Sequence, residues 1–181
     1  MTTNPNRSRS LHHVAYTTRD PEATYDFYTN TLGMALLRTE NHLNGDGWFR
    51  HFFFDIGGGE SIAFFAVNDV GEDPDYKTEI STGLGLPVWA NHIAFRVDTA
   101  DEQDEMEQRL TDAGHPVQRI DHGWCESIYS GDPNGIMIEF CLTTDAELFG
   151  DQSPEEAVRL LRLGPEDFVE ADRKDGAVDV S

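Results

Sequence analysis

Residues 11–17 read LHHVAYT and residues 89–97 read WANHIAFRV, and the second stretch is the first written again. Both alternate and are rich in strand formers, so each reads as a strand. The first is followed by Asp20-Pro21, an N-cap with proline at the first helical position. Ala23, Phe27, Tyr28 and Leu32 then recur at helical spacing up to Gly33. Strand-like pieces follow at 35–41, 48–55 and 61–68, separated by Asn44-Gly45-Asp46-Gly47 and Gly57-Gly58-Gly59. After the second copy, Thr99 opens a helix that Gly114 closes, with Met106, Leu110 and Ala113 as its inner stripe. Strands are expected again at 117–120, 125–130 and 135–142.

The chain is therefore one unit written twice, and this self-similarity decides the fold. The expected class is α+β: two tandem βαβββ modules forming a curved, partly open mixed sheet around a metal site, plus a C-terminal helix. The expected divisions are a flexible leader at 1–10, the first module at 11–69, a connector at 70–87, the second module at 88–144, and a helix with an acidic tail at 145–181. The tail helix is read from SPEEAVRLLRL, with Ser153 as cap and Glu156 completing a capping box. The residues beyond Phe168 are expected to be loosely held.

Overlaying the halves puts His13-Val14-Ala15-Tyr16 on His92-Ile93-Ala94-Phe95. It puts Ile62-Ala63-Phe64-Phe65 on Met137-Ile138-Glu139-Phe140. A histidine on one strand is more often a hydrogen-bonded core residue than a ligand. Two at equivalent places in a repeat are harder to dismiss. Side-by-side packing about a pseudo-two-fold axis would bring His13 and His92 together, and the last strand would add Glu139. Glu139 itself has two readings: pointing to water by the period of two, or buried against a cation among Ile136, Ile138 and Phe140. Two imidazoles and one carboxylate on one side of an ion form the facial triad of non-haem Fe(II) oxygenases. Alternation points His12 away from His13.

Composition limits the partners. The 181 residues carry a net charge of -21, which repels phosphate backbones and anionic lipid, so neither nucleic acid nor membrane is an expected partner. Cys125 and Cys141 form no zinc-ligand spacing, and a reducing cytoplasm is the simpler location. Sheet edges in such short modules lead to the expectation of a homodimer or larger homo-oligomer.

The paired modules, HHVAY with NHIAF, and DPNGIMIEF resemble the vicinal oxygen chelate superfamily, which includes glyoxalase I, bleomycin-resistance proteins and extradiol ring-cleaving dioxygenases. The run from His122 through Tyr129 to Glu139 resembles the extradiol enzymes. That resemblance implies Fe(II), with Mn(II) or another divalent ion as the alternative, held by His13, His92 and Glu139. It implies an aromatic diol and O2 as substrates, with His122 and Tyr129 reaching the substrate oxygen. Where two-domain dioxygenases carry a catalytic histidine, this chain has Glu60; the alternatives are Glu60 itself, as base or as fourth ligand, His51 on the preceding strand as the substitute base, or no base and a different chemistry. Glyoxalase I-like members supply a fourth ligand from the first module's last strand, where this overlay puts Phe64. Trp48, Phe52, Phe54, Trp89 and Trp124 are candidates for lining the pocket. The competing readings are a metal-dependent glyoxalase, isomerase or epimerase, and a metal-free small-molecule-binding protein of the bleomycin-resistance kind.

Overall fold

The computed structural model describes residues 10–168. Most of the leader and the tail beyond Phe168 lie outside them. The first module runs β1 (His13–Thr18), α1 (Pro21–Tyr25) continued by a π-helical turn (Asp26–Thr31), β2 (Leu36–Asn44), β3 (Gly47–Asp55) and β4 (Ser61–Asn68). The second runs β5 (His92–Val97), α2 (Ala100–Asp112), β6 (Gln118–Asp121), β7 (Cys125–Gly131) and β8 (Met137–Thr143). Two helices follow, α3 (Ala146–Phe149) and α4 (Pro154–Leu161). Asp20 and Thr99 cap as expected, Asp20 accepting from the Ala23 N–H and Thr99 forming a complete capping box with Glu102; Ser153 accepts from the Glu156 N–H, but the Glu156 carboxylate turns to Arg159, so the box expected there is only half made.

Each module builds its own four-stranded sheet, in the orders β1-β4-β3-β2 and β5-β8-β7-β6. The first strand of each pairs in parallel with the last and the remaining pairs are antiparallel. The doubled architecture is thus borne out as two mixed sheets, with β1 and β5 each at an edge.

The register corrects the overlay by one residue. His13 stands opposite Ser61 and His92 opposite Met137, so Ala63, not Phe64, occupies the place of Glu139. Two further expectations shift. Trp89 lies in a 3-10 turn (Val88–Ala90) before β5, because Pro87 starts that turn ahead of the strand. Phe52 and Phe54 are 3 % and 0 % exposed and pack with Phe64 and Tyr28 in the core; Phe52 also borders a surface pocket with Pro21, Tyr25 and Arg50, which contains neither His92 nor Glu139.

One buried cluster runs through both modules, from Phe27, Tyr28 and Leu32 of the first to Leu110, Ile128, Ile138 and Phe140 of the second. Burial of large apolar side chains supplies its cohesion. Polar contacts give the junction its register. The Tyr28 hydroxyl donates to Asp132 Oδ2 at 3.1 Å, the Thr78 hydroxyl donates to the Asn134 carbonyl at 2.9 Å, and the Phe27 and His115 rings meet edge to face at 4.8 Å. Asp132 and Asn134 of the GDPNG turn are therefore buried at the module junction, while Pro133 is exposed.

Candidate metal centre

β5, β8 and β7 lie side by side, and alternation puts His92, Glu139, Tyr129 and Ser127 on the face away from α2. Glu139 is 6 % exposed, so its outward-pointing reading fails. Its Oε2 lies 3.0 Å from His92 Nε2, and its Oε1 accepts the Ser127 hydroxyl at 2.5 Å. Tyr129 stands directly across from Glu139 on β7, and its hydroxyl lies 2.9 Å from His122 Nε2. Burial, and then the charge of Glu139, push the Tyr129 phenol well above its ordinary value, so it keeps its proton. His92, Glu139 and Ser127 form one polar run, and the Tyr129–His122 pair stands across from Glu139 on the neighbouring strand.

The proton positions in this run follow from its partners. His92 Nδ1 lies 3.0 Å from the Trp89 carbonyl oxygen, which can only accept, so Nδ1 carries the hydrogen. In a neutral ring Nε2 then presents a lone pair to the Glu139 carboxylate. Two acceptors at 3.0 Å repel unless a positive charge lies between them, either a proton on Nε2 or a cation. The separation also suits a shared ion, since two ligand atoms at right angles, each about 2.1 Å from a divalent ion, lie about 3.0 Å apart. The Trp89 carbonyl orients the ring in the way that outer partners of metal-bound histidines do.

His13 lies on the other sheet. Its Nδ1 meets His12 Nδ1 at 2.8 Å, and its ring contacts Phe53 and His51, at 5.5 and 6.2 Å between centroids. His12 precedes β1 and so is not held to strand alternation, which is why its ring meets that of His13. His51 stacks on Phe65 at 3.7 Å, its Nε2 is buried without a partner, and burial followed by the neighbouring His13 holds its pKa below the ordinary histidine value. Glu60 sits in the turn one residue ahead of β4. Trp48 is exposed, and Trp124 packs on Phe149 at 4.6 Å.

The structure thus joins His92, Glu139, Tyr129 and His122 and sets His13 with His51 elsewhere. Among the described residues, no group of three or more His, Cys, Asp or Glu side chains can hold a metal ion. Ser127 was not singled out from the sequence, although alternation along β7 from Tyr129 would have placed it beside Glu139.

A family model described as the Glyoxalase/Bleomycin resistance protein/Dioxygenase superfamily matches residues 10–140. The chain belongs to that superfamily. Its proteins are commonly enzymes, typically bind a divalent metal, usually take small-molecule substrates and are often oligomers. Among solved structures, the chain is similar to a glyoxylase/bleomycin resistance protein/dioxygenase domain from Frankia sp. EAN1pec, with a TM-score of 0.58 and 23 % identity over 75 % of this chain and 98 % of that one. It is also similar to lactoylglutathione lyase from Agrobacterium tumefaciens, with a TM-score of 0.53 and 20 % identity over 80 % and 99 %. A glyoxalase family protein from Enterococcus faecalis matches with a TM-score of 0.51 and 21 % identity over 74 % and 97 %. At these identities the likeness extends to the fold alone. No match is found among the curated proteins. No described helix is long and apolar enough to cross a membrane.

Proposed function

We propose that this superfamily member is a metal-dependent enzyme, an Fe(II) dioxygenase that opens a catechol-like aromatic diol with O2. The observation that carries the reading is the 3.0 Å approach of His92 Nε2 to the buried Glu139 carboxylate, which a divalent cation between the two would satisfy. His92 and Glu139 would be two of its ligands. His13, which its own chain does not bring to them, would be the third, supplied by the first module of a second copy. β1 and β5, which begin with His13 and His92, are both edge strands of their sheets, which supports such a pairing.

Three features favour a dioxygenase over a four-ligand isomerase. The position equivalent to Glu139 in the first module is Ala63, which offers no donor and leaves more of the ion open to substrate and O2. Tyr129 keeps its proton on Oη, and His122 Nε2 shares a hydrogen bond with it, so the pair can pass a proton to or from a substrate oxygen at the edge of the centre. His51, beside His13, has a ring held in its neutral form and a nitrogen with no partner, which suits a proton acceptor. A ferrous ion, when bound, supplies electron exchange between an aromatic diol and O2 at neighbouring positions.

The second reading is a metal-free binding protein, favoured by the fact that no three His, Cys, Asp or Glu donors meet among the described residues of one chain. There His92 would be an imidazolium paired with Glu139. Anaerobic loading with Fe(II), metal analysis and an oxygen electrode with a panel of catechols separate the two. Stoichiometric iron with diol-dependent O2 uptake and a yellow product supports the dioxygenase. Bound metal without O2 uptake moves the assignment to a lyase or isomerase, and no affinity for any divalent metal leaves the binding protein.

A further inference from the structure

α4 takes no part in the function just proposed, and it follows the residues 10–140 that the superfamily model matches. Every residue of it except Glu156 is exposed, and among the described residues no hydrogen bond or ion pair joins it to the sheets or to α1 or α2. α3, just before it, is anchored by the Phe149 ring on Trp124 at 4.6 Å. A helix of eight residues with only its own bonds is marginal in water, so α4 needs a cover for its apolar side. At about 100° per residue, Ala157, Val158, Leu160 and Leu161 fill one arc of the helix. Leu161 is 84 % exposed.

The charges beside that arc say what covers it. Glu155 and Arg162 lie on the same flank, about two helical turns apart, and neither has an ion-pair partner among the described residues, whereas Glu156 and Arg159 pair with each other. We propose that α4 is a self-association element that packs antiparallel, about a two-fold axis, on α4 of a second copy of this chain. In an antiparallel pair each flank meets its own counterpart reversed, so Glu155 of each copy faces Arg162 of the other, with the apolar arcs between them. A net charge of -21 sets two copies repelling one another, and a contact between them therefore requires opposite charges matched at its rim. No bound ion is needed for this contact, which stands apart from the pairing of modules around His92 and Glu139.

Sedimentation equilibrium of the full chain over a range of concentrations tests this. Leu161→Glu sets two carboxylates within the apolar contact and should weaken self-association by at least about 100-fold. Arg162→Glu and Glu155→Arg each put like charges together at both ends and should weaken it by about tenfold. The exchange of both, Glu155→Arg with Arg162→Glu, should restore the native affinity. An equimolar mixture of the two single variants should associate more tightly than either alone, because every arginine again meets a glutamate. A merely destabilising change would not be repaired in this way. Unchanged affinity in Leu161→Glu overturns the proposal and leaves the modules as the source of any association, as does a native chain that stays monomeric. Losses in the single variants that the double exchange does not repair overturn the antiparallel pairing.

Discussion

Tyr28 Oη donates to Asp132 Oδ2 at 3.1 Å across 104 residues of sequence, and both side chains are buried. Asp132 Oδ1 accepts the backbone N–H groups of Asn134 and Ile136, and Asn134 Nδ2 donates to Oδ2. One carboxylate thus closes the GDPNG turn and ties it to the first module. Tyr28→Phe removes one donor and should cost about 1–2 kcal/mol. Asp132→Ala leaves two buried N–H groups and the tyrosine hydroxyl without acceptors, and should cost about 3–5 kcal/mol. Urea unfolding of the two variants checks the order, and equal losses would remove Asp132 from the junction.

The same carboxyl makes stability depend on pH. Burial, the largest influence, raises the Asp132 pKa above its ordinary value of 3.8 despite the hydrogen bonds that lower it. With the folded value above the unfolded one, its contribution is fully present below the unfolded pKa. It is lost as pH rises through the folded pKa, because the unfolded chain ionises first. The difference in unfolding free energy between the native protein and Asp132→Asn should therefore shrink as pH rises from below 3.8. A difference that grows over that window would contradict burial as the dominant cause.

The βαβββ repeat was legible because strand and cap residues recur in both halves, and Glu139 was legible because an acid in an apolar strand needs a partner. The overlay slipped by one because Ala63 and Glu139 share no chemistry, and only pairing with β1 and β5 identifies them as equivalents. The separation of His13 from His92 was not legible. It follows from the docking of the modules through Tyr28, Asp132, Phe27 and His115, four residues whose spacing follows no period. Ser127 was hidden for a different reason: serine in a strand carries no signal until its cross-strand neighbours are known.

The partition of the proposed ligands between copies has a direct genetic test. His13→Ala and Glu139→Gln each remove one ligand, and each homo-oligomer should bind metal at least about tenfold more weakly. If the centre lies between chains, co-expressed variants form mixed dimers in which the Glu139→Gln chain supplies His13 to an intact His92 and Glu139 on the other. Tight metal should then return at about half the native amount per chain. A centre within one chain would leave every chain missing a ligand, and mixing would restore nothing.

His51 separates packing from chemistry. His51→Phe retains the stack on Phe65 and removes a buried nitrogen that has no partner, so unfolding free energy should stay within about 1 kcal/mol of the native value. If the imidazole is the proton acceptor, diol-dependent O2 uptake should fall by about 10²- to 10⁴-fold at unchanged metal content. Glu60→Gln, in the turn ahead of β4, should leave uptake near native. Loss in the glutamine variant with retention in the phenylalanine one would move the base from His51 to Glu60.

Gly47 opens β3, and a Cβ there would lie 2.3 Å from the Asn68 carbonyl oxygen and 2.4 Å from that of Asp69. Both obstacles are backbone at the end of β4, and neither can rotate aside as a side chain would. Asp69 is also held at a φ of 51°, so this corner already carries strain for a residue with a side chain. Gly47→Ala must therefore separate β3 from β4, whose pairing places His51 against Phe65. The expected cost is about 2–4 kcal/mol, read as a lowered urea midpoint. Gly58→Ala has open space around the new methyl and only its positive φ to contend with, and should cost about 1 kcal/mol. A loss in Gly47→Ala no larger than in Gly58→Ala would show that the Asn68 and Asp69 backbone yields to the methyl, since Gly47 itself is not held at a positive φ.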